Sequence, residues 1–270
     1  MDNRPIGVFD SGFGGLTAVE ALRALRPGEN IIYFGDSGRA PYGGRSVEEL
    51  RVMARQNLDF LKSFDVKLIL AACGTVSGSV LDEFTDEGIP VMGVIKPGAQ
   101  KAASITESGR IGVIATEASI KSGAYQREIR LIRGGVYIYD VGCPKLVPLI
   151  EQGRFSPDDR DVDTALREYL AEMREAGADT LLLGCTHYPL MGAAISRFMG
   201  AGTKLVSAAD EAALNLAMML DDAELAAVRE ERGSVAYYTS GDAAEFSRIA
   251  ELLLGAPLES PSLHVPPMQV

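Results

Sequence analysis

The stretch "LILAACGTVSG" (68–78) runs from an apolar segment straight into a cysteine, a glycine and hydroxyl residues. A short apolar run bounded by turn residues reads as a strand buried on both faces. The open question is whether Cys73 is a small core residue or a thiol carried to a site by the end of a strand. A second stretch, "TLLLGCTHYPLM" (180–191), repeats the pattern with Cys185 at the matching place.

The repetition extends outward from the two cysteines. "IGVI" (111–114) repeats "IGVF" (6–9) and "VYIY" (136–139) repeats "IIYF" (31–34), so the first two runs start 25 residues apart in both halves (6 to 31, 111 to 136). The second and third runs start 37 apart (31 to 68) and then 44 apart (136 to 180), which places a modest insertion near "CPKLVPLIEQGRFSPDD". Further strand candidates follow each cysteine at "IPVMGV" (89–94) and "TKLVSA" (203–208). Helical patterns alternate with these runs, notably "LTAVEALRAL" (16–25), and alternation of this kind predicts βα units around parallel sheets. The long amphipathic stretch opening at Ser46 carries Glu49 three residues on, a capping box, with Val47, Leu50, Met53, Leu58 and Leu61 at near-helical spacing. After about residue 208 come helix patterns "EAALNLAMML" and "AELAAVREE", a strand candidate "VAYYT", a helix opening at "GDAAEFSRIAELLLG" with Asp242 and Glu245 as a second capping pair, and a Pro-rich end "SPSLHVPPMQV" that reads as loose.

The expected fold is therefore α/β, with two pseudo-symmetric βα lobes, each a mostly parallel sheet flanked by helices. Clefts between domains and crevices beyond the carboxyl ends of parallel strands are favoured ligand sites. Two thiols ending equivalent strands would then face one another across the cleft. A lone cysteine after an apolar run is commonly core, but a duplicated one at matched strand ends, each with a hydroxyl residue within two positions, points to chemistry.

Composition narrows the classes. The 270 residues are 47% hydrophobic and 23% charged, an ordinary globular balance, and no apolar run approaches the ~20 residues of a membrane span. The opening "MDNRPIGVFDSG" has no signal-peptide pattern, which predicts a cytoplasmic protein. A net charge of −11 argues against nucleic acid as partner, and a small anion would be held by local N–H groups and hydroxyls instead. Three cysteines without a C-x-x-C pair and only two histidines, His187 and His264, argue against a disulfide framework, a thioredoxin-type centre or a metal site. Cys185 and His187 are too close in sequence for the usual cysteine-hydrolase pairing, and Cys143 has no repeat partner and reads as structural.

Other segments point at the cleft. "DSGFGG" (10–15) is a glycine-rich strand-to-helix turn, either an anion nest or merely a tight turn, in which Thr17 stands where a dinucleotide fingerprint needs glycine. "GDSGRAPYGGR" (35–45) is a surface loop or a segment that covers a ligand with its amides and Tyr42. Two opposed thiols suit a reaction that removes a proton from one face of a carbon and returns one to the other, inverting a stereocentre.

"IGVFDSGFGGLT", "IIYFGDSGRAPYG", "CPKLVPLIEQG", "DTLLLGCTHYPLM" and the late "YYTSGDAAEFSRIAELLLG" closely resemble the cofactor-independent glutamate racemases of the aspartate/glutamate racemase superfamily, in order over nearly the whole chain. The resemblance implies Cys73 and Cys185 as the two bases, the first acting on D-glutamate and the second on L-glutamate. It implies Asp10 and Ser11 at the ammonium side, Asp36, Glu151 and His187 as supporting acid/base residues, and Pro41, Tyr42, Gly43, Thr75, Thr116, Thr186 and His187 as substrate contacts. It further implies D-glutamate supply for peptidoglycan, no cofactor and no metal, a homodimer, and a first lobe of residues 1–97 plus 208–270 around a second of 98–207. The chain departs from the family pattern twice. Gly74 stands where the family has a carboxylate-binding Asn, a loss worth roughly 1.5 to 3 kcal/mol of binding unless the freed space admits water or a different ligand, and Ser207 replaces an acid. Altered amino-acid specificity and a catalytically silent binding protein are the alternatives these departures raise.

Overall fold

The computed structural model describes residues 2–84, 87–228 and 231–265. The first half contributes β1 (Ile6–Asp10), α1 (Leu16–Leu25), β2 (Ile31–Gly35), α2 (Val47–Lys62), β3 (Leu68–Ala71), α3 (Gly74–Ser79) and β4 (Val91–Gly93). After α4 (Ile95–Ile105), the second half adds β5 (Arg110–Ala115), α5 (Glu117–Lys121), α6 (Ala124–Ile132), β6 (Tyr137–Gly142), α7 (Leu146–Glu151), α8 (Arg160–Glu175), β7 (Thr180–Leu183), α9 (Gly192–Met199) and β8 (Lys204–Ser207). The chain then returns through α10 (Ala208–Asp222), β9 (Val235–Thr239), α11 (Ala243–Leu254) and β10 (Leu263–His264).

The repeat in the sequence is a repeat in the fold. One sheet has the order β10-β9-β2-β1-β3-β4 and the other β6-β5-β7-β8, so the second reproduces the last four positions of the first. All pairings are parallel. β1, β3 and β7 are buried along their whole length, as near-continuous apolar runs in parallel sheets must be. Ile6 lies beside Leu68 and Ile111 beside Thr180, and each cysteine follows its partner residue by five positions (68 to 73, 180 to 185). Both thiols therefore leave their sheets at the same height.

The register differs in one place from the simple repeat. Ile6 pairs with Ile31, an offset of 25, but Ile111 pairs with Ile138, an offset of 27. A slide of two residues keeps every side chain on its own face, so the pattern tolerates it.

The capping box of α2 forms in full: the Ser46 hydroxyl accepts from the Glu49 N–H at 3.2 Å, and the Ser46 N–H donates to the Glu49 carboxylate at 2.9 Å. Asp242 caps α11 through one bond only, accepting from the Glu245 N–H at 2.7 Å. Ser207 caps α10 by accepting from the Asp210 N–H at 3.1 Å, which gives this departure from the family pattern a local structural use.

Two expectations are corrected. The stretch "AELAAVREE" forms no helix where it is described, because Glu224 takes a left-handed φ of 55° and the chain turns back on the end of α10, Leu225 N–H donating to Leu220 O at 2.8 Å; residues 229–230 lie outside the described ones. The following backbone is used elsewhere. Lys67 and Glu29 form a buried ion pair at 2.6 Å, Lys67 also donates to Asp2 O and Leu225 O, and the Ala227 N–H donates to Glu29. The Pro-rich end is likewise not wholly loose: Leu263 and His264 pair with Tyr238 and Thr239 as an edge strand, while 266–270 fall outside the described residues. Among the described residues no helix is long and apolar enough to cross a membrane.

Candidate active site

Beyond the carboxyl ends of β1, β3 and β7 lies a cavity of about 440 Å³, lined from both lobes, and both Cys73 and Cys185 open onto it. The two thiols are 4% and 7% exposed, so the cavity reaches them while bulk water hardly does. Cys73 sits where β3 gives way to α3, in extended backbone, with the Ser11 hydroxyl and the Val76 N–H bonded to its sulfur. Burial, aided by the negative charge of Asp10, pushes the Cys73 thiol up to about 12, so this sulfur holds its proton firmly.

The other thiol has a basic neighbour. The Cys185 sulfur lies 3.8 Å from His187 Nδ1, and His187 Nε2 lies 3.0 Å from a carboxylate oxygen of Glu151, which projects from the end of α7. Burial pulls His187 down, but its bonds to Cys185 and Glu151, with the charge of Asp10, outweigh this and raise it to about 10. These partners favour the protonated ring. Pro189 lies at the start of a short 3-10 turn over Tyr188–Met191, and Tyr188 bonds back to Ala115 O and Cys143 O, so the loop carrying His187 is anchored. Thr17, noticed in the sequence only for breaking a fingerprint, anchors it from the opposite lobe by donating to Thr186 O at 2.9 Å.

Asp10 ends β1 and lines the cavity. Its carboxylate accepts from the Gly12 N–H at 2.9 Å and meets the Thr186 hydroxyl at 3.5 Å, the outer limit of a hydrogen bond. Burial raises its pKa, opposed by the charge of His187 and the N–H groups of Gly12, Gly15 and Ser11. The glycine-rich turn is therefore tight, and its N–H groups are directed at the Asp10 carboxylate. A Cβ on Gly14 would stand 2.4 Å from both His187 Nδ1 and Thr186 Oγ1, so glycine there is what lets the second lobe's loop approach.

The 35–45 loop divides into a support and a cover. Pro41, Tyr42 and Gly43 line the cavity, with a cis peptide bond between Ala40 and Pro41. Asp36 does not line it. Its carboxylate is wholly buried and accepts from Arg39, Tyr42 and the Ser240 hydroxyl, while Asn57 donates to the Tyr42 oxygen at 3.1 Å. Its place is behind Tyr42, holding the loop, rather than among groups facing a ligand.

Hydroxyls close the far wall. Thr75 Oγ1 and Thr116 Oγ1 meet across the lobes at 2.9 Å, and Thr116 in turn meets Ser119 Oγ at 2.9 Å. Gly74 shows no freed space. The position a side chain would take is filled by the Gly184 carbonyl oxygen, 2.6 Å from an ideal Cβ, so neither water nor a different ligand group has room there. Cys143, read as structural, is fully buried yet contributes to the cavity wall. Among the cavity-lining residues the one cationic group is His187, so an anionic ligand would depend on N–H groups and hydroxyls.

Sequence reading missed Thr17, Ser119, Gly184 and Tyr188. Only the last two carried a signal, as neighbours of Cys185 in the repeated stretch.

Among the described residues no group of three or more His, Cys, Asp and Glu side chains could hold a metal ion. Residues 17–216 match the family model described as Asp/Glu/Hydantoin racemase. The glutamate racemase of Geobacter metallireducens is 42% identical over 96% of this chain and 95% of its own. Among solved structures, a glutamate racemase isoform of Bacillus anthracis superposes with a TM-score of 0.90 at 34% identity, covering 98% of both chains. The glutamate racemase of Francisella tularensis in complex with D-glutamate gives 0.89 at 34%, again over 98% of both.

Proposed function

This chain belongs to the Asp/Glu/Hydantoin racemase family, and from that premise we propose that it interconverts L- and D-glutamate with Cys73 and Cys185 as the two acid/base groups. The observation that carries the mechanism is that two cysteines, equivalent by repeat and register, open on one cavity from opposite lobes. One thiolate removes the α-proton from one face of the substrate. The other thiol gives its proton to the opposite face of the resulting carbanion. The net change on the enzyme is one proton moved from one sulfur to the other, and exchange with solvent resets it.

Burial favours a resting state with the proton on Cys73, and the raised His187 ring lies beside Cys185. Asp10 and Ser11 would meet the substrate ammonium. Thr75, Thr116, Thr186, Tyr42, Gly43 and the backbone at Gly74 would receive the carboxylates, and Glu151 would act through His187. Asp36, behind Tyr42, would act by positioning.

We read residues 1–97 with 208–270 as one lobe and 98–207 as the other, supported by the strand membership of the two sheets. Three free thiols suit a reducing, cytoplasmic setting. A homodimer and a role in supplying D-glutamate for peptidoglycan are carried over from the family resemblance. The two thiols perform both proton transfers, so the proposal calls on no cofactor.

The test is to incubate purified protein with each enantiomer of glutamate in deuterated water. Optical change with deuterium at Cα of the product is expected from both sides. Absence of both signals sinks the reading.

A further inference from the structure

Gly74 follows Cys73 and Gly184 precedes Cys185, and these two glycines touch. A Cβ on Gly74 would lie 2.6 Å from the Gly184 carbonyl oxygen, and the obstacle is backbone rather than the end of a flexible side chain. The carbonyl has little freedom to retreat. It accepts the Tyr125 hydroxyl at 3.1 Å, and the Gly184 N–H donates to Ile114 O at 2.7 Å within the second sheet. Tyr125 is itself fully buried, and a Cβ on Gly184 would meet its ring at 2.6 Å. Gly74 therefore leans on Gly184 from the first lobe while Tyr125 braces it from the second.

We propose that this contact is a spacer between the lobes that sets the separation of the two thiols, with Gly74 and Tyr125 as positioning residues. The proposal rests on the racemase reading above. Inversion requires both sulfurs to reach one carbon at the same time. Exchange of the α-proton without inversion requires only one. Restoring an ordinary Cβ contact of 3.4 Å at position 74 demands a shift of about 0.8 Å (3.4 less 2.6) in residues directly bonded to both cysteines. Displacements of that size are enough to lower a positioned reaction by about a hundredfold. The second proton transfer suffers while the first survives.

The experiment compares wild type, Gly74→Ala, Tyr125→Phe and the double variant in deuterated water with each enantiomer. The quantity measured is the ratio of deuterium in unreacted substrate to inverted product at low conversion. Gly74→Ala is expected to slow inversion about a hundredfold and to raise that ratio at least tenfold. Tyr125→Phe adds no atoms and only releases the carbonyl, so it should raise the ratio a few fold, and in the Gly74→Ala background it should restore part of the inversion. Gly74→Asn should behave no better than Gly74→Ala.

Wild-type inversion in Gly74→Ala, or equal falls in exchange and inversion across the variants, overturns the spacer. If Gly74→Ala does not fold, the ratio in Tyr125→Phe decides alone, an unmoved ratio counting against. A wild type that neither exchanges nor inverts defeats the racemase reading instead, so the two failures are distinct.

Discussion

Replacing Glu151 by Gln removes one negative charge 3.0 Å from His187 and leaves the shape of the site nearly unchanged. The Glu151 side chain is 32% exposed, so its interaction is screened, and an effective dielectric of about 40 to 80 gives a Coulomb energy of about 1.4 to 2.8 kcal/mol at that distance. One pKa unit corresponds to about 1.4 kcal/mol, so His187 should fall by about 1 to 2 units from its raised position of about 10. The chain has two histidines, and His264 is exposed, so the two ring signals can be followed separately by NMR titration. The sign for stability follows from proton binding. The folded state holds the His187 proton more tightly than the unfolded chain, so the stabilisation is complete below the ordinary value of 6.5 and is lost as pH rises towards about 10. In Glu151→Gln the loss ends one to two units earlier, because less was present to begin with. The enantiomers have equal free energy, so kcat/KM must be the same in both directions at every pH, and the alkaline limb should move equally for both. A wild-type His187 titrating below 7, or one indifferent to Glu151→Gln, would refute the assignment of Glu151 as its electrostatic support.

Other expected outcomes follow from sterics and buried charge. Gly14→Ala should displace the His187 ring by about 1 Å (3.4 less 2.4), lowering kcat about a hundredfold and shifting the His187 titration, with about 1 to 3 kcal/mol of destabilisation from overpacking; normal turnover would show that the His187 placement is not needed. Lys67→Met strands the buried Glu29 carboxylate and should destabilise by about 3 to 5 kcal/mol in urea unfolding. Its folded fraction should racemise normally, because the pair lies at the amino ends of the strands; a large fall in kcat would contradict that. Asp36→Asn should raise KM more than it lowers kcat, by loosening Tyr42, whereas a selective loss of kcat would make Asp36 a participant in the reaction.

The parts of this site that the sequence made legible are those tied to strand periodicity. A buried parallel strand has one apolar signature, and its end is the one place where a polar residue must face the crevice, which is why Cys73, Cys185 and Asp10 could be picked out. Side chains acting across lobes left no such trace. Asp36 stands in the same loop as Tyr42 and only its hydrogen bonds reveal that it faces the interior behind that ring. Gly74 looked like a lost amide in the sequence, because nothing in local pattern indicates that Gly184 O fills the space. The helical pattern opening at 223 does not form over 223–228, where Glu224 takes a left-handed φ and a buried ion pair between distant residues claims the Leu225 carbonyl and the Ala227 N–H.

The order in which the strands are made has a consequence for biosynthesis. β2 lies in the interior of the finished sheet, with β1 on one side and β9 on the other. While the chain emerges from the ribosome, β1 is available at once, but Val235–Thr239 come only after the whole second lobe has been synthesised. Until then Ile31–Gly35 presents an open row of donors and acceptors to any passing strand. The nascent chain thus passes through a long interval in which the β9 side of β2 is uncapped, and this is the stage at which chaperone binding or intermolecular strand pairing would compete with folding.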